Sequence, residues 1–167
     1  MKQSLEEVFP KISTHNCLTF IKDIEFYIFE DENKVSQIGE DGILKVNNPN
    51  KKNIHFLRID HCFLGDGDGK KCDCAVFDDN TFCFVEMSIA RMKNRKEKQK
   101  DAVQQLENTI KLFEEKNISY GNRKIDALIC FNYRDTYPSS PASKLNAYLQ
   151  FLQDYNVKLN IGNQIEF

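Results

Sequence analysis

The sequence predicts an α/β (α+β) fold, a mixed sheet with an antiparallel three-stranded meander flanked by helices. Three observations carry that expectation. Short runs of aromatic and β-branched residues recur between clusters of turn-forming residues. Two longer stretches carry apolar residues at helical spacing. The elements follow in the order helix, three strands, helix, strand, helix, strand. A hydrophobic fraction of 41% over 167 residues suits one globular domain spanning 1–167, with no repeat, low-complexity tract or linker.

Residues Ser4 to Ile12 read as a short helix, with Ser4 as N-cap and Glu7 at the capping-box position. The segment "FIKDIEFYIFE" fits helix or strand, because its residue types favour strand while its spacing is ambiguous. "NNPNKKN" is a loop, "IHFLRIDHCFL" a strand and "GDGDGK" a turn. Two strands follow, Cys72 to Phe77 and Phe82 to Ser88, joined at Asp79-Asn80. A helix from Lys96 to Lys116 places Ala102, Val103, Leu106, Ile110 and Phe113 on one buried face. "KIDALICF" is a buried strand. Lys144 to Tyr155 is an amphipathic helix, and "KLNIGNQIEF" supplies a final edge strand.

The net charge of −2 makes no overall case for nucleic acid or an anionic membrane. A local asymmetry does: Arg91 to Lys100 holds six basic residues against one acid. Such a run is either a solvated helix start or a phosphate-contacting surface. The N-terminus is polar and acidic rather than signal-like, and no apolar run spans a bilayer. The expectation is a cytoplasmic protein whose six cysteines stay reduced, most of them as small core residues.

"KKCDCAVFDDNTFCFVEMS" poses the functional question, because it sets one acid inside each of two apolar runs. With Asp79-Asn80 as the turn, cross-strand partners have numbers summing to 159. Asp73 then stands opposite Glu86 on the same face of the sheet. Opposed residues lie about 5 Å apart at Cβ. Two like charges that close repel unless a cation lies between them, and a divalent ion with oxygen ligands suits the pair. The Met87 carbonyl projects near the same spot as a further ligand. The alternative is that each acid pairs with a lysine or arginine, or stands at a solvated sheet end.

An Asp, a hairpin, a Glu-x-Lys-like element and a helix bearing Gln resemble the PD-(D/E)XK nuclease superfamily over about Ser4 to Phe131. The resemblance implies a restriction-endonuclease-like fold and a nuclease that hydrolyses phosphodiester bonds with Mg²⁺ or Mn²⁺. It assigns Asp73 and Glu86 to the metal, Gln105 to the helix glutamine, and Glu7 to the upstream helix acid of some members. Ser88 stands where the family carries lysine, and serine supplies no positive charge. Lys71, opposite Ser88 in the 159 register, is the expected replacement. Arg91, Lys93, Arg95 and Lys98 are the expected nucleic-acid contacts, with DNA favoured over RNA. The alternative is a catalytically degenerate nuclease-fold protein that binds nucleic acid or a protein partner, as a homodimer or in bacterial defence by analogy.

Other constellations fit less well. "GDGDGK" has lysine where a Ca²⁺ loop needs a ligand, and it lacks the hydroxyl residue of a phosphate loop. Cys72 and Cys74 match no common zinc spacing. The histidines form no triad with a nucleophile. Asp60 reads as a turn residue rather than a metal ligand.

Overall fold

The computed structural model describes residues 2–88, 95–131, 140–141 and 156–167. Helices α1 (Lys2–Val8) and α2 (Lys11–Thr14) come first. Then come strands β1 (Leu18–Ile21), β2 (Glu25–Glu30), β3 (Ser36–Gly39), β4 (Leu44–Asn47) and β5 (Ile54–Arg58). A 3-10 turn (Asp66–Asp68) precedes β6 (Cys74–Phe77) and β7 (Thr81–Ser88). Helix α3 (Arg95–Glu115) leads to β8 (Lys124–Phe131), β9 (Ser140–Pro141), β10 (Val157–Ile161) and β11 (Gln164–Glu166).

Two mixed sheets result. The larger has seven strands in the order β1-β5-β6-β7-β8-β10-β9. Within it β5, β6 and β7 form an antiparallel meander. Strand β8 runs parallel to β7, and α3 is the connection such a pair requires. The smaller has four strands in the order β11-β4-β2-β3.

The two faces of the large sheet are covered differently. On one face Ala75, Phe77, Phe82, Phe84 and Ile129 pack against Leu5, Ile12 and the apolar stripe of α3. Phe113 of α3 meets Phe84 edge-on at 5.3 Å between ring centroids. On the other face Cys74, Val76, Cys83, Val85 and Met87 pack against Phe26, Ile28, Leu44 and Val46 of the small sheet. Strand β7 is therefore buried on both sides, which is why its sequence is almost continuously apolar.

Several expectations need correction. The first helix starts at Lys2, so Ser4 lies within it and cannot be its N-cap, and Pro10 separates α1 from α2. The ambiguous stretch after Cys17 is strand rather than helix, and "LKVN" is an unforeseen strand. Among the described residues, the second face of the large sheet is covered by strands rather than helices. Residues 157–166 form two strands: β10 lies inside the large sheet, while β11 is an edge of the small one. The expected helix from Lys144 to Tyr155 lies outside the described residues.

The cysteine expectation is overturned. Cys17 and Cys62 form a disulfide with Cα atoms 5.9 Å apart. The antiparallel pairing of β1 with β5 brings their ends together, and the separation suits a disulfide. Cys72, Cys74, Cys83 and Cys130 are free and buried. Among the described residues, no helix is long and apolar enough to cross a membrane.

Candidate functional site

The hairpin between β6 and β7 has the register that its turn dictates. Cys74 pairs with Val85, Ala75 with Phe84, Val76 with Cys83 and Phe77 with Phe82. Asp78 fixes the turn: its Oδ1 accepts the N–H groups of Asn80 and Thr81 at 2.8 and 2.7 Å. One step beyond the ladder stand Asp73 and Glu86, both 5% exposed. Both line one cleft, of about 420 Å³.

Asp73 is held at three points. Its carbonyl accepts the N–H groups of Ile59 and Asp60 at 3.0 and 3.2 Å, tying it to the end of β5. Its Oδ2 accepts the Met87 N–H at 2.5 Å. In an extended strand a residue's N–H and C=O point to the same neighbour, so the Met87 carbonyl faces the same edge.

Burial pushes the Asp73 carboxyl up to about 8, with Glu30 and Asp60 adding to the shift. Burial also pushes Glu86 well up, reinforced by Asp73, Glu30 and Asp60. Glu86 Oε2 is buried and has no hydrogen-bond partner. A buried, unpaired carboxylate oxygen is costly unless a proton or a cation satisfies it.

That oxygen tests whether the residues fit a divalent ion. Two carboxylates, one of them orphaned, beside a backbone carbonyl form an all-oxygen donor set suited to Mg²⁺ or Mn²⁺. Among the described residues, however, no three His, Cys, Asp or Glu side chains stand close enough to hold one ion together. The described residues would therefore give an ion here two carboxylates at most, with several waters kept.

Helix α3 positions the approach to Asp73. Gln105 Nε2 donates to the Lys71 carbonyl at 3.1 Å, and Asn108 Nδ2 to the Lys70 carbonyl at 3.1 Å. Thr109 Oγ1 accepts the Cys72 N–H at 2.8 Å. Three side chains of one helix thus clamp the chain just before the first acid, and Gln105 also lines the cleft. Sequence reasoning missed Asn108 and Thr109; their place one turn beyond Gln105 was the available signal.

Lys71 does not stand where the hairpin pattern puts it. Its Nζ donates to the carbonyls of Gly65 and Gly69 at 2.6 and 3.3 Å, and lies 3.3 Å from Asp60 Oδ1. It is not among the residues lining the cleft. Strand β6 begins only at Cys74, so strand alternation does not govern Lys71, and the Gly69 turn, at φ 76°, directs it away.

Glu7 is exposed and absent from the cleft. Leu5 points into the core, and a residue two positions along a helix points to nearly the opposite side. Arg91 and Lys93 lie outside the described residues, and Arg95 opens α3. Lys98 lines the cleft, as do Lys34 and Lys70. Lys70 is paired with Asp101 at 3.2 Å.

Sequence reasoning missed Glu30. It ends β2 on the inward-facing side shared with Phe26 and Ile28, and it lines the cleft. An acid on the buried face of an alternating strand was the available signal. Asp60 is both turn and cleft residue: its Oδ1 accepts the His61 N–H at 2.8 Å.

No protein-family model, curated protein or solved structure matches this chain.

Proposed function

We propose that this protein is a divalent-metal-dependent nuclease of restriction-endonuclease-like fold, with Asp73 and Glu86 as its metal ligands. The observation that carries the reading is the pair itself. Two acids on neighbouring segments are buried in one cleft, and one carboxylate oxygen lacks any partner. The Met87 carbonyl is the third donor. The meander followed by α3 and the parallel β8 supports the fold assignment, and Gln105 supports the site.

A bound Mg²⁺ or Mn²⁺ supplies Lewis-acid stabilisation of a phosphodiester and a more acidic water. Asp73 and Glu86 bind and orient it. Gln105 fixes the chain that presents Asp73. Lys98 stands at the cleft and meets the phosphate backbone; DNA is the preferred substrate.

The position of Lys71 favours a second reading, a non-catalytic member of the same fold that binds nucleic acid or a protein partner. Its ammonium is engaged by Gly65, Gly69 and Asp60 rather than in the cleft. Incubation of labelled single- and double-stranded DNA and RNA with Mg²⁺ or Mn²⁺ separates the two. Cleavage by wild type, lost in Asp73→Ala and Glu86→Ala, supports the nuclease. Metal-independent binding without cleavage supports the second reading.

A further inference from the structure

Five acids line the cleft; Asp101 is paired with Lys70 at 3.2 Å, and the other four divide into two pairs. Asp73 and Glu86 are the inner pair, both 5% exposed. Glu30 and Asp60 are the outer pair, carried by β2 of the small sheet and by the turn after β5. Glu86 Oε2, buried and without a partner, makes the cluster more than an accumulation of charge. The four do not collapse onto one point, since no three such side chains among the described residues can share an ion.

The chemistry of Mg²⁺ explains an arrangement in two layers. The ion demands near-octahedral geometry and gives up its waters reluctantly. Two carboxylates and a carbonyl leave about three positions for water. Those waters are strong hydrogen-bond donors and need acceptors. Glu30 and Asp60 are acceptors on the walls of the same cleft. Asp60 is itself oriented by the His61 N–H and by Lys71, which gives that buried lysine a role one step removed from the ion.

We propose that Glu30 and Asp60 accept hydrogen bonds from the water ligands of a divalent cation held by Asp73 and Glu86, so that the small sheet forms one wall of the cation site. Both are positioning residues. The inference rests on the two-carboxylate reading above and extends it to a sheet that the nuclease-like hairpin does not include.

Calorimetric titration of the full chain with Mn²⁺ tests it. Glu30→Gln keeps shape and removes charge, and is expected to weaken Mn²⁺ binding about tenfold, the range found for outer partners of metal ligands. Glu30→Asp is expected to recover part of that loss. Glu32→Gln, on an exposed neighbour, is expected to change affinity less than twofold. Asp60→Asn should weaken binding in parallel, and thermal melts establish that each variant is folded. Wild-type affinity in Glu30→Gln would overturn the proposal while leaving the inner pair intact. No binding by wild type, or undiminished binding by Asp73→Ala, would overturn the two-carboxylate reading and this proposal with it.

Discussion

The Met87 backbone N–H donates to the Asp73 carboxylate at 2.5 Å, one step past the last ladder pair of the β6–β7 hairpin. The bond substitutes a side chain for a strand pair where β6 has not yet begun. It also presents Asp73 edge-on to the end of β7, beside Glu86. The consequences of that placement can be measured.

The first is a pH dependence. An ordinary aspartate titrates near 3.9, whereas burial raises Asp73 to about 8 in the fold. Between those values the folded chain keeps a proton that the unfolded chain has released. Folding stability should therefore fall as pH rises from about 4 through 8. Glu86 is shifted in the same direction and adds to the fall. Urea denaturation of metal-free protein at pH 5 and 8.5 should give the lower midpoint at 8.5. Asp73→Asn should narrow the gap, and Mn²⁺ should narrow it in wild type. Equal midpoints in metal-free wild type would count against the buried pair.

The second prediction separates the two lysine positions. Lys71→Met removes an ammonium bound to two carbonyls and Asp60, and is expected to cost roughly 2–3 kcal/mol of stability. Ser88→Lys places an ammonium on β7 in the cleft and is expected to raise cleavage with Mg²⁺. If Lys71→Met abolishes cleavage without any change in the melt, Lys71 acts on the substrate after all.

A third concerns the cross-link. The disulfide closes a segment with a sequence separation of 45, worth about 4 kcal/mol in the chain-entropy model. The double variant Cys17→Ser, Cys62→Ser should lose a substantial part of that in denaturant titration. Alkylation of the unfolded, unreduced protein should label four thiols, Cys72, Cys74, Cys83 and Cys130. Six labelled thiols would show that the bond does not form.

A fourth concerns Lys98. If the chain binds DNA, Lys98→Ala should lower the slope of log affinity against log salt by about 0.9, the value of one phosphate contact. Fluorescence anisotropy over a salt series measures it. An unchanged slope would assign Lys98 to the cleft acids instead.

The hairpin was legible because a two-residue turn and strict alternation fix each partner from Cys74 to Val85. Gln105 was singled out only through the resemblance to nucleases, which implies a glutamine on the helix after the hairpin. Lys71 was misplaced by applying that alternation to residues that precede the strand and are governed by the Gly69 turn and the α3 clamp. Glu30 was missed because the cleft it joins belongs to another sheet, and nothing local reveals that β2 lies across it. The Cys17–Cys62 bond was missed for a similar reason. It depends on β1 pairing with β5, a contact between distant segments.

The pairing of β11 with β4 has a consequence in time. Lys45, Val46 and Asn47 find their partners only at Gln164, Ile165 and Glu166. At a synthesis rate of about 5–20 residues per second, roughly 6 to 24 seconds separate the emergence of the two strands. Throughout that interval one edge of β4 offers unpaired N–H and C=O groups to any passing strand. A nascent chain arrested before Gln164 should therefore recruit holdase chaperones or self-associate, while one arrested beyond Phe167 on a flexible extension should not. Ribosome-bound nascent chains arrested at the two lengths and scored by pelleting would detect the difference. The youngest part of the chain thus acts as the guardian of one of its oldest strands.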